Sequence, residues 1–253
     1  MVENPTTTSS TCRRSYAEKR PRPEVATSLR RIRRDGTDIE LVITDRGDGD
    51  FHIDAAPEGL ESRRAAVMPG RWAVVRQVHG STVVAADPDQ TPEADGIYTA
   101  AAEQPIAVQG ADCAPIALLT DQGPIGLVHA GWRGLAAGVI ENMANTLRSH
   151  GAVIEAAIVG PVIGPECYEF GARDLDEVAT ALGQGVRAQT PQGTPALNMA
   201  AGIEMAASRA GIEDLEFIGG CTSCSFDGFS HRARQEKQRH AMVARIVEHE
   251  EGS

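Results

Sequence analysis

Ala114-Pro115-Ile116-Ala117-Leu118-Leu119 and Ile125-Gly126-Leu127-Val128 stand on either side of Asp121-Gln122-Gly123-Pro124. Two apolar runs separated by a Gly-Pro turn signal predict a hairpin of buried strands. Upstream, Pro105-Ile106-Ala107-Val108-Gln109 is short and apolar, and residues 72–78 read as a strand that ends at His79-Gly80. Thr82-Val83-Val84-Ala85 resumes after it. Ordered structure is expected to begin near Ile39, where Ile39-Glu40-Leu41-Val42-Ile43-Thr44 alternates in the manner of a strand. Asp45-Arg46-Gly47-Asp48-Gly49-Asp50 has the composition of a loop.

Downstream, Leu135, Val139, Met143 and Leu147 recur every four residues, which predicts one helix over 132–150 with Gly151 as its C-terminal cap. A strand is expected at 156–160, helices at 173–182 and 197–210, and a last strand at 215–218. The charged tail 231–250 is expected to be helical. Strands and helices are mixed, and neither an internal repeat, a Rossmann fingerprint nor a P-loop is present. The expected fold class is α/β (α+β), a single layered domain of mixed sheets covered by helices. The domain is expected over 37–253, preceded by a disordered basic extension over 1–36.

Composition narrows the function classes. At 253 residues and 42% hydrophobic content the chain can bury a full core, and 4% aromatic content makes that core aliphatic. A net charge of -11 argues against broad nucleic-acid binding, which needs a basic surface to displace counterions. The first 34 residues run against this trend, with Arg13, Arg14, Lys19, Arg20, Arg22, Arg30, Arg31, Arg33 and Arg34. No apolar stretch follows them, so they do not read as a secretory signal, and no run is long enough to span a bilayer. A cytoplasmic location is expected, with no membrane partner; the sequence sets no oligomeric state. Five cysteines (an odd number) argue against a disulfide framework.

The chemistry gathers between Arg76 and Gly134. His79 and His129 each end an apolar run and are followed by Gly80 or by Ala130-Gly131; Cys113 follows Asp112. The separations, 113 − 79 = 34 and 129 − 113 = 16, are too long for a zinc finger and suit ligands from separate strand ends. Two imidazoles and a thiolate can hold Zn²⁺ with one coordination position open, and the Asp95-Gly96 pair offers a carboxylate to orient a ligand. Equally, Cys113 can be a nucleophile with His79 or His129 as its base. A multicopper cluster needs paired His-x-His motifs, and no two of the seven histidines are separated by a single residue. A single copper at the trio stays open, because Cu²⁺ binds such ligands more tightly than Zn²⁺.

Gln77-Val78-His79-Gly80, Ala94-Asp95-Gly96, Ala111-Asp112-Cys113-Ala114-Pro115, Val128-His129-Ala130-Gly131-Trp132-Arg133-Gly134 and Gly160-Pro161 followed by Cys167-Tyr168-Glu169 resemble the laccase-domain-containing purine nucleoside phosphorylase family. Its members were formerly labelled multicopper polyphenol oxidases, and some are called peptidoglycan editing factors. The resemblance implies a polyphenol oxidase/cytotoxic-necrotizing-factor-like fold and a zinc site made by His79, Cys113 and His129. It implies phosphorolysis of adenosine, inosine, guanosine and methylthioadenosine, with adenosine deamination as a further activity. The purine nucleosides and phosphate would be its partners. Alternatives are a Cys-His hydrolase that edits a peptidoglycan precursor and a copper-dependent polyphenol oxidase. Departures lie near Thr44-Asp45-Arg46-Gly47 and in Phe226-Asp227-Gly228-Phe229-Ser230-His231-Arg232, regions expected to shape the substrate pocket.

Within that reading Arg46 and Arg133 are the candidate phosphate clamp, since a guanidinium matches phosphate geometry. Asp112 is expected to orient a ligand, shuttle a proton or serve structure alone, and Cys113 to ligate the metal or attack the substrate. Cys221-Thr222-Ser223-Cys224 is a C-x-x-C that reads as two unrelated loop cysteines, half of a second zinc site, or a redox pair. Cys167 reads as a packing residue.

Overall fold

The computed structural model describes residues 27–248. Two mixed sheets lie at its centre. The first has the order β1 (Thr27–Ile32), β2 (Asp38–Ile43), β13 (His240–Val247), β6 (Ile106–Gly110), β3 (Ala73–Val74). The second has the order β12 (Leu215–Phe217), β9 (Ile154–Val159), β7 (Ala114–Thr120), β8 (Ile125–Ala130), β5 (Gly96–Thr99), β4 (Val83–Ala85). A small hairpin, β10 (Arg187–Gln189) with β11 (Pro195–Leu197), stands apart.

Strand alternation explains the layering. On β7, Ala117 and Leu119 face Leu41, Ile106, Val108, Met242 and Ala244 of the first sheet, and these residues form one inter-sheet core. Ile116 and Leu118 point the other way, onto α2 (Trp132–Ala136), α3 (Val139–Ser149), α4 (Ala172–Leu182) and α5 (Met199–Arg209). The outer face of the first sheet, with Val74, Ala107, Ala241 and Val243, is covered by Phe51, Trp72 and Leu60 of α1 (Pro57–Val67). The chain is therefore helix, sheet, sheet, helices, with strands such as β7 apolar on both faces because neither face meets water.

The 114–119 and 125–128 runs form the expected hairpin, and its register positions the site. Ala114 pairs with Ala130 and Pro115 with His129. Cys113, one residue before β7, is thereby brought alongside the end of β8.

Three expectations are corrected. Order begins earlier than Ile39: β1 pairs antiparallel with β2 from Thr27. Residues 27–36 thus belong to the fold, and the remainder of the expected extension, 1–26, lies outside the described residues. The helix over 132–150 is two helices, because Gly138 takes a left-handed φ of 83° that ends α2 and starts α3. The tail is not a helix. After the four-residue α6 (His231–Arg234) it becomes β13, the central strand of the first sheet, with Met242 and Ala244 in the inter-sheet core and Ala241 and Val243 beneath α1. No helix among the described residues is long and apolar enough to cross a membrane.

Candidate functional site

The hairpin register and one buried carboxylate bring His79, Cys113 and His129 together. Their ligand atoms all lie within 4.8 Å of one another, and Cys113 Sγ is 3.8 Å from His79 Nε2. The two imidazoles meet edge to face at 4.9 Å between centroids. Tetrahedral bonds of ~2.3 Å to sulfur and ~2.0 Å to nitrogen place donor atoms ~3.5 Å apart, so the trio is close to a ligand set already. Burial is graded, with His129 buried, Cys113 half-buried and His79 exposed, so the site is open on the His79 side.

Asp95 organises this geometry. Its carboxylate is fully buried and lies 2.8 Å from His129 Nδ1. It also accepts the backbone N–H groups of Val78, His79 and Gly80, at 3.2, 3.0 and 2.6 Å. These bonds hold His79 in a left-handed conformation (φ 61°), which turns its ring toward Cys113. Burial works to raise the Asp95 carboxyl, but the His129 and backbone bonds outweigh it and keep its pKa below the usual range. With Nδ1–H committed to Asp95, His129 presents Nε2 toward the thiol.

The electrostatics follow. Burial pushes the Cys113 thiol up, but the adjacent His129, with hydrogen bonds from His129 and His79, brings it down to about 6. Burial pushes His129 down, and the Cys113 thiolate and Asp95 raise it to about 9. Each group thus shifts toward its charged form because of the other. Such a trio can hold a metal ion, and it can also supply a nucleophile.

A cleft of about 470 Å³ opens over the trio. Arg133 lines it, stacked over the Trp132 ring at 4.3 Å, and carries no ion pair among the described residues. Arg232, Arg239, Arg76, Tyr168 and His231 line it too. Arg232 sits over the Tyr168 ring at 5.0 Å. Burial, then the nearby Cys113 thiolate, pushes the Tyr168 phenol up to about 12 against the pull of Arg232, so it is a firm hydrogen-bond donor at neutral pH.

Arg46 takes a role other than the clamp, and of the roles weighed for Asp112 its contacts are structural ones. Arg46 is not brought to the cleft. Its Nε donates to the Phe226 carbonyl at 2.9 Å, its Nη2 pairs with Glu236 at 2.7 Å, and it stacks over Phe229. Asp112 does not touch a histidine ligand. It accepts the Thr222 hydroxyl and the Arg232 backbone N–H, each at 2.6 Å, from a strained left-handed φ of 101°. It ties the C-terminal loops to the β6–β7 connection and so draws His231 and Arg232 over the cleft. Sequence reasoning weighed a ligand-orienting role for both Asp95 and Asp112, and only Asp95 fills it. Tyr168, Arg232 and Arg239 were not singled out, although Cys167-Tyr168-Glu169 and the Phe226 to Arg232 run carried a signal.

Cys221-Thr222-Ser223-Cys224 is not a pair of unrelated cysteines. Cys167 and Glu166 join it, and the four ligand atoms lie within 4.8 Å of one another. Cys224 is a half-cystine in this structure, although the odd cysteine count argued against disulfides.

Comparison with known proteins bears on the whole arrangement. Residues 44–247 match the family model described as multi-copper polyphenol oxidoreductase laccase. A Pseudomonas aeruginosa protein named purine nucleoside phosphorylase is 31% identical over 200 residues, 76% of this chain and 82% of that protein. A Mycobacterium tuberculosis protein of the same name is 34% identical over 194 residues, 72% and 77% of the two chains. Among solved structures, a Neisseria meningitidis protein superposes with a TM-score of 0.74 at 23% identity, covering 87% of this chain and 99% of that one. YlmD from Geobacillus stearothermophilus gives 0.71 at 25%, covering 84% and 93%. These neighbours share the mixed two-sheet α/β fold.

Proposed function

The chain belongs to the multi-copper polyphenol oxidoreductase laccase family, and from that premise we propose that its cleft is the active site of a zinc-dependent purine nucleoside phosphorylase. The observation that carries the reading is the convergence of His79, Cys113 and His129, oriented by Asp95, beneath an arginine-lined cleft. The relatives named purine nucleoside phosphorylase support the reaction class. The substrates are adenosine, inosine, guanosine and methylthioadenosine with phosphate, and adenosine deamination is a second reaction of the same site. Residues 37–253 form one catalytic domain, to which the β1 strand adds, working in the cytoplasm where the thiolate stays reduced.

The donor set fits the metal. Two imidazole nitrogens and one thiolate suit Zn²⁺ with an open position, and Asp95 fixes the tautomer that His129 needs. A bound zinc ion supplies Lewis acidity and, for deamination, an acidified water. The multicopper chemistry in the family description lacks ligands: the described residues offer two metal-ligating clusters, neither with the histidines of a trinuclear site. A single copper ion at the trio is the competing load, and metal analysis separates the two.

In phosphorolysis a phosphate oxygen attacks the anomeric carbon, the bond from that carbon to the purine nitrogen breaks, and its electron pair leaves on the base. Arg133 and Arg232, which line the cleft, bind and orient the phosphate, and Arg239, which lines it too, adds charge. Tyr168, held protonated, donates a hydrogen bond to substrate oxygen or nitrogen. Trp132 lines the cleft and carries Arg133 over its ring. Incubation with adenosine should release adenine and ribose 1-phosphate in equal amounts and only with phosphate present. Base release that ignores phosphate, or none in the zinc-loaded chain, contradicts the proposal.

One observation favours a second reading, a Cys-His hydrolase acting on a peptidoglycan precursor. Cys113 Sγ stands beside the His79 and His129 rings, which pull its thiol down, and a cysteine nucleophile with a histidine base has this arrangement. A metal-free chain that turns over an amide substrate and is inactivated by a thiol alkylator selects it.

A further inference from the structure

Two side chains on one wall of the cleft are held so that each presents a hydrogen-bond donor while its acceptor is occupied. Gln109, the penultimate residue of β6, lines the cleft and is only 7% exposed. Its backbone N–H donates to Gln77 Oε1 and its carbonyl accepts from Gln77 Nε2, both at 2.8 Å. Its side-chain Oε1 accepts the Ile53 backbone N–H at 3.1 Å. That bond orients the amide. Nε2, with no acceptor among the described residues and not sealed from solvent, is the end open to the cleft.

His52 lines the same cleft, one residue before Ile53. Its backbone N–H donates to Asp50 Oδ1 at 2.8 Å, and its ring Nδ1 accepts the Asp54 backbone N–H at 3.0 Å. A ring nitrogen that accepts carries no proton, so His52 bears its proton on Nε2, a donor with no acceptor among the described residues. Neighbouring polar side chains are engaged: Gln109 takes both ends of the Gln77 amide, and Asp54 pairs with Arg76 at 3.2 Å.

Resting on the reading of the cleft as a purine nucleoside site, we infer that His52 and Gln109 set its choice of base by reading the O6/N7 edge of a 6-oxopurine. Two donors call for two neighbouring acceptors. Guanine and hypoxanthine present O6 and N7 on one edge, whereas adenine presents N7 beside an amino donor at N6. Gln109 is bonded to Gln77, two residues before His79, so it stands at the reacting end and takes N7, the acceptor nearer the glycosidic nitrogen. His52 takes O6. The electron pair that leaves on the base spreads through the five-membered ring to N7, so the Gln109 donor also steadies the departing purine. An adenine in the same place would set its amino group against the His52 donor, leaving both without a partner.

Equilibrium binding of hypoxanthine and of adenine to the zinc-loaded full chain, without phosphate, tests the inference. Hypoxanthine should bind at least ~10-fold tighter, the scale of one hydrogen bond gained against one donor stranded. His52→Phe keeps an aromatic ring but removes the donor, and should bring the two affinities within about twofold. Gln109→Glu keeps the acceptor for Ile53 and turns the open donor into an acceptor that faces N7; both bases should weaken ~10-fold, with the preference for hypoxanthine retained. Far-ultraviolet circular dichroism checks that each variant is folded, and the wild-type comparison needs no variant. Hypoxanthine binding no tighter than adenine in the wild-type chain, or a preference unchanged in folded His52→Phe, overturns the inference. Turnover is read separately. A chain that prefers hypoxanthine yet cleaves no nucleoside retires the phosphorylase reading alone, and one that phosphorolyses nucleosides yet binds both bases equally retires this inference alone.

Discussion

Replacing Asp95 with Asn should damage metal binding and folding together, and the structure sets the scale. The buried carboxylate serves His129 Nδ1 and the N–H groups of Val78, His79 and Gly80. An Asn keeps its shape but turns one acceptor oxygen into a donor. If the oxygen stays with His129 and His79, the new NH₂ faces Val78 and Gly80, leaving two donors unmet. At ~1–3 kcal/mol for each unsatisfied buried group, Asp95→Asn should cost ~2–6 kcal/mol of stability. Loss of the orienting charge behind His129 should weaken zinc ~10–100-fold, or ~1.4–2.7 kcal/mol of binding. Urea denaturation followed by circular dichroism reads the first effect, and competition against a chromophoric chelator reads the second. A variant with the wild-type midpoint and zinc affinity within about twofold of wild type would show that Asp95 does not organise the trio.

Other substitutions probe neighbouring parts of the site. A Cβ at Gly131 would lie 2.8 Å from His79 Cδ2 and 3.2 Å from Cys113 Sγ, so Gly131→Ala should push the trio apart and reduce zinc affinity at least ~10-fold in a chelator titration. Arg133→Ala and Arg232→Ala should each raise the KM for phosphate more than the KM for adenosine; an equal effect on both would remove them from the anion clamp. His240 is fully buried with neither ring nitrogen bonded among the described residues, and burial lowers its pKa from 6.5 to about 4. Between those values the unfolded chain binds a proton that the folded chain does not. Stability should therefore fall as pH drops from about 6.5 to about 4, by about 3 kcal/mol in all, and be flat in this respect above pH 6.5. His240→Leu should remove that slope in urea titrations across the window, and an unchanged slope assigns it to other groups.

The β7–β8 hairpin was legible because both of its strands are apolar on two faces and Asp121-Gln122-Gly123-Pro124 separates them cleanly. The stripe from Leu135 to Leu147 was legible as a buried face, and all four of its residues are buried. Its interruption was not read, although Gly138, the residue that takes φ 83°, lies inside the stripe as a local signal. β13 was missed because charges flank its short apolar run Ala241-Met242-Val243-Ala244, which is buried on both faces and so carries no alternation to read against the charged tail. α1 was missed for the opposite reason: only Leu60 and Arg64 of that helix are buried, so it has almost no apolar stripe to read. At the site, the identities and spacing of His79, Cys113 and His129 drew attention. The choice between Asp95 and Asp112 as the orienting carboxylate depends on strand pairing. Arg46 was misplaced because Glu236, its partner, lies 190 residues away in sequence.

The reaction and the trio are tested together by loading the reduced chain and its Cys113→Ser variant with zinc, then measuring bound metal and phosphate-dependent release of adenine from adenosine. The wild-type chain should form ribose 1-phosphate. Cys113→Ser should bind about one zinc fewer and lose phosphorolysis in the same preparation, because the thiolate is a ligand of the ion the reaction needs. A Cys113→Ser chain that sheds that zinc yet retains full phosphate-dependent turnover would contradict the assignment.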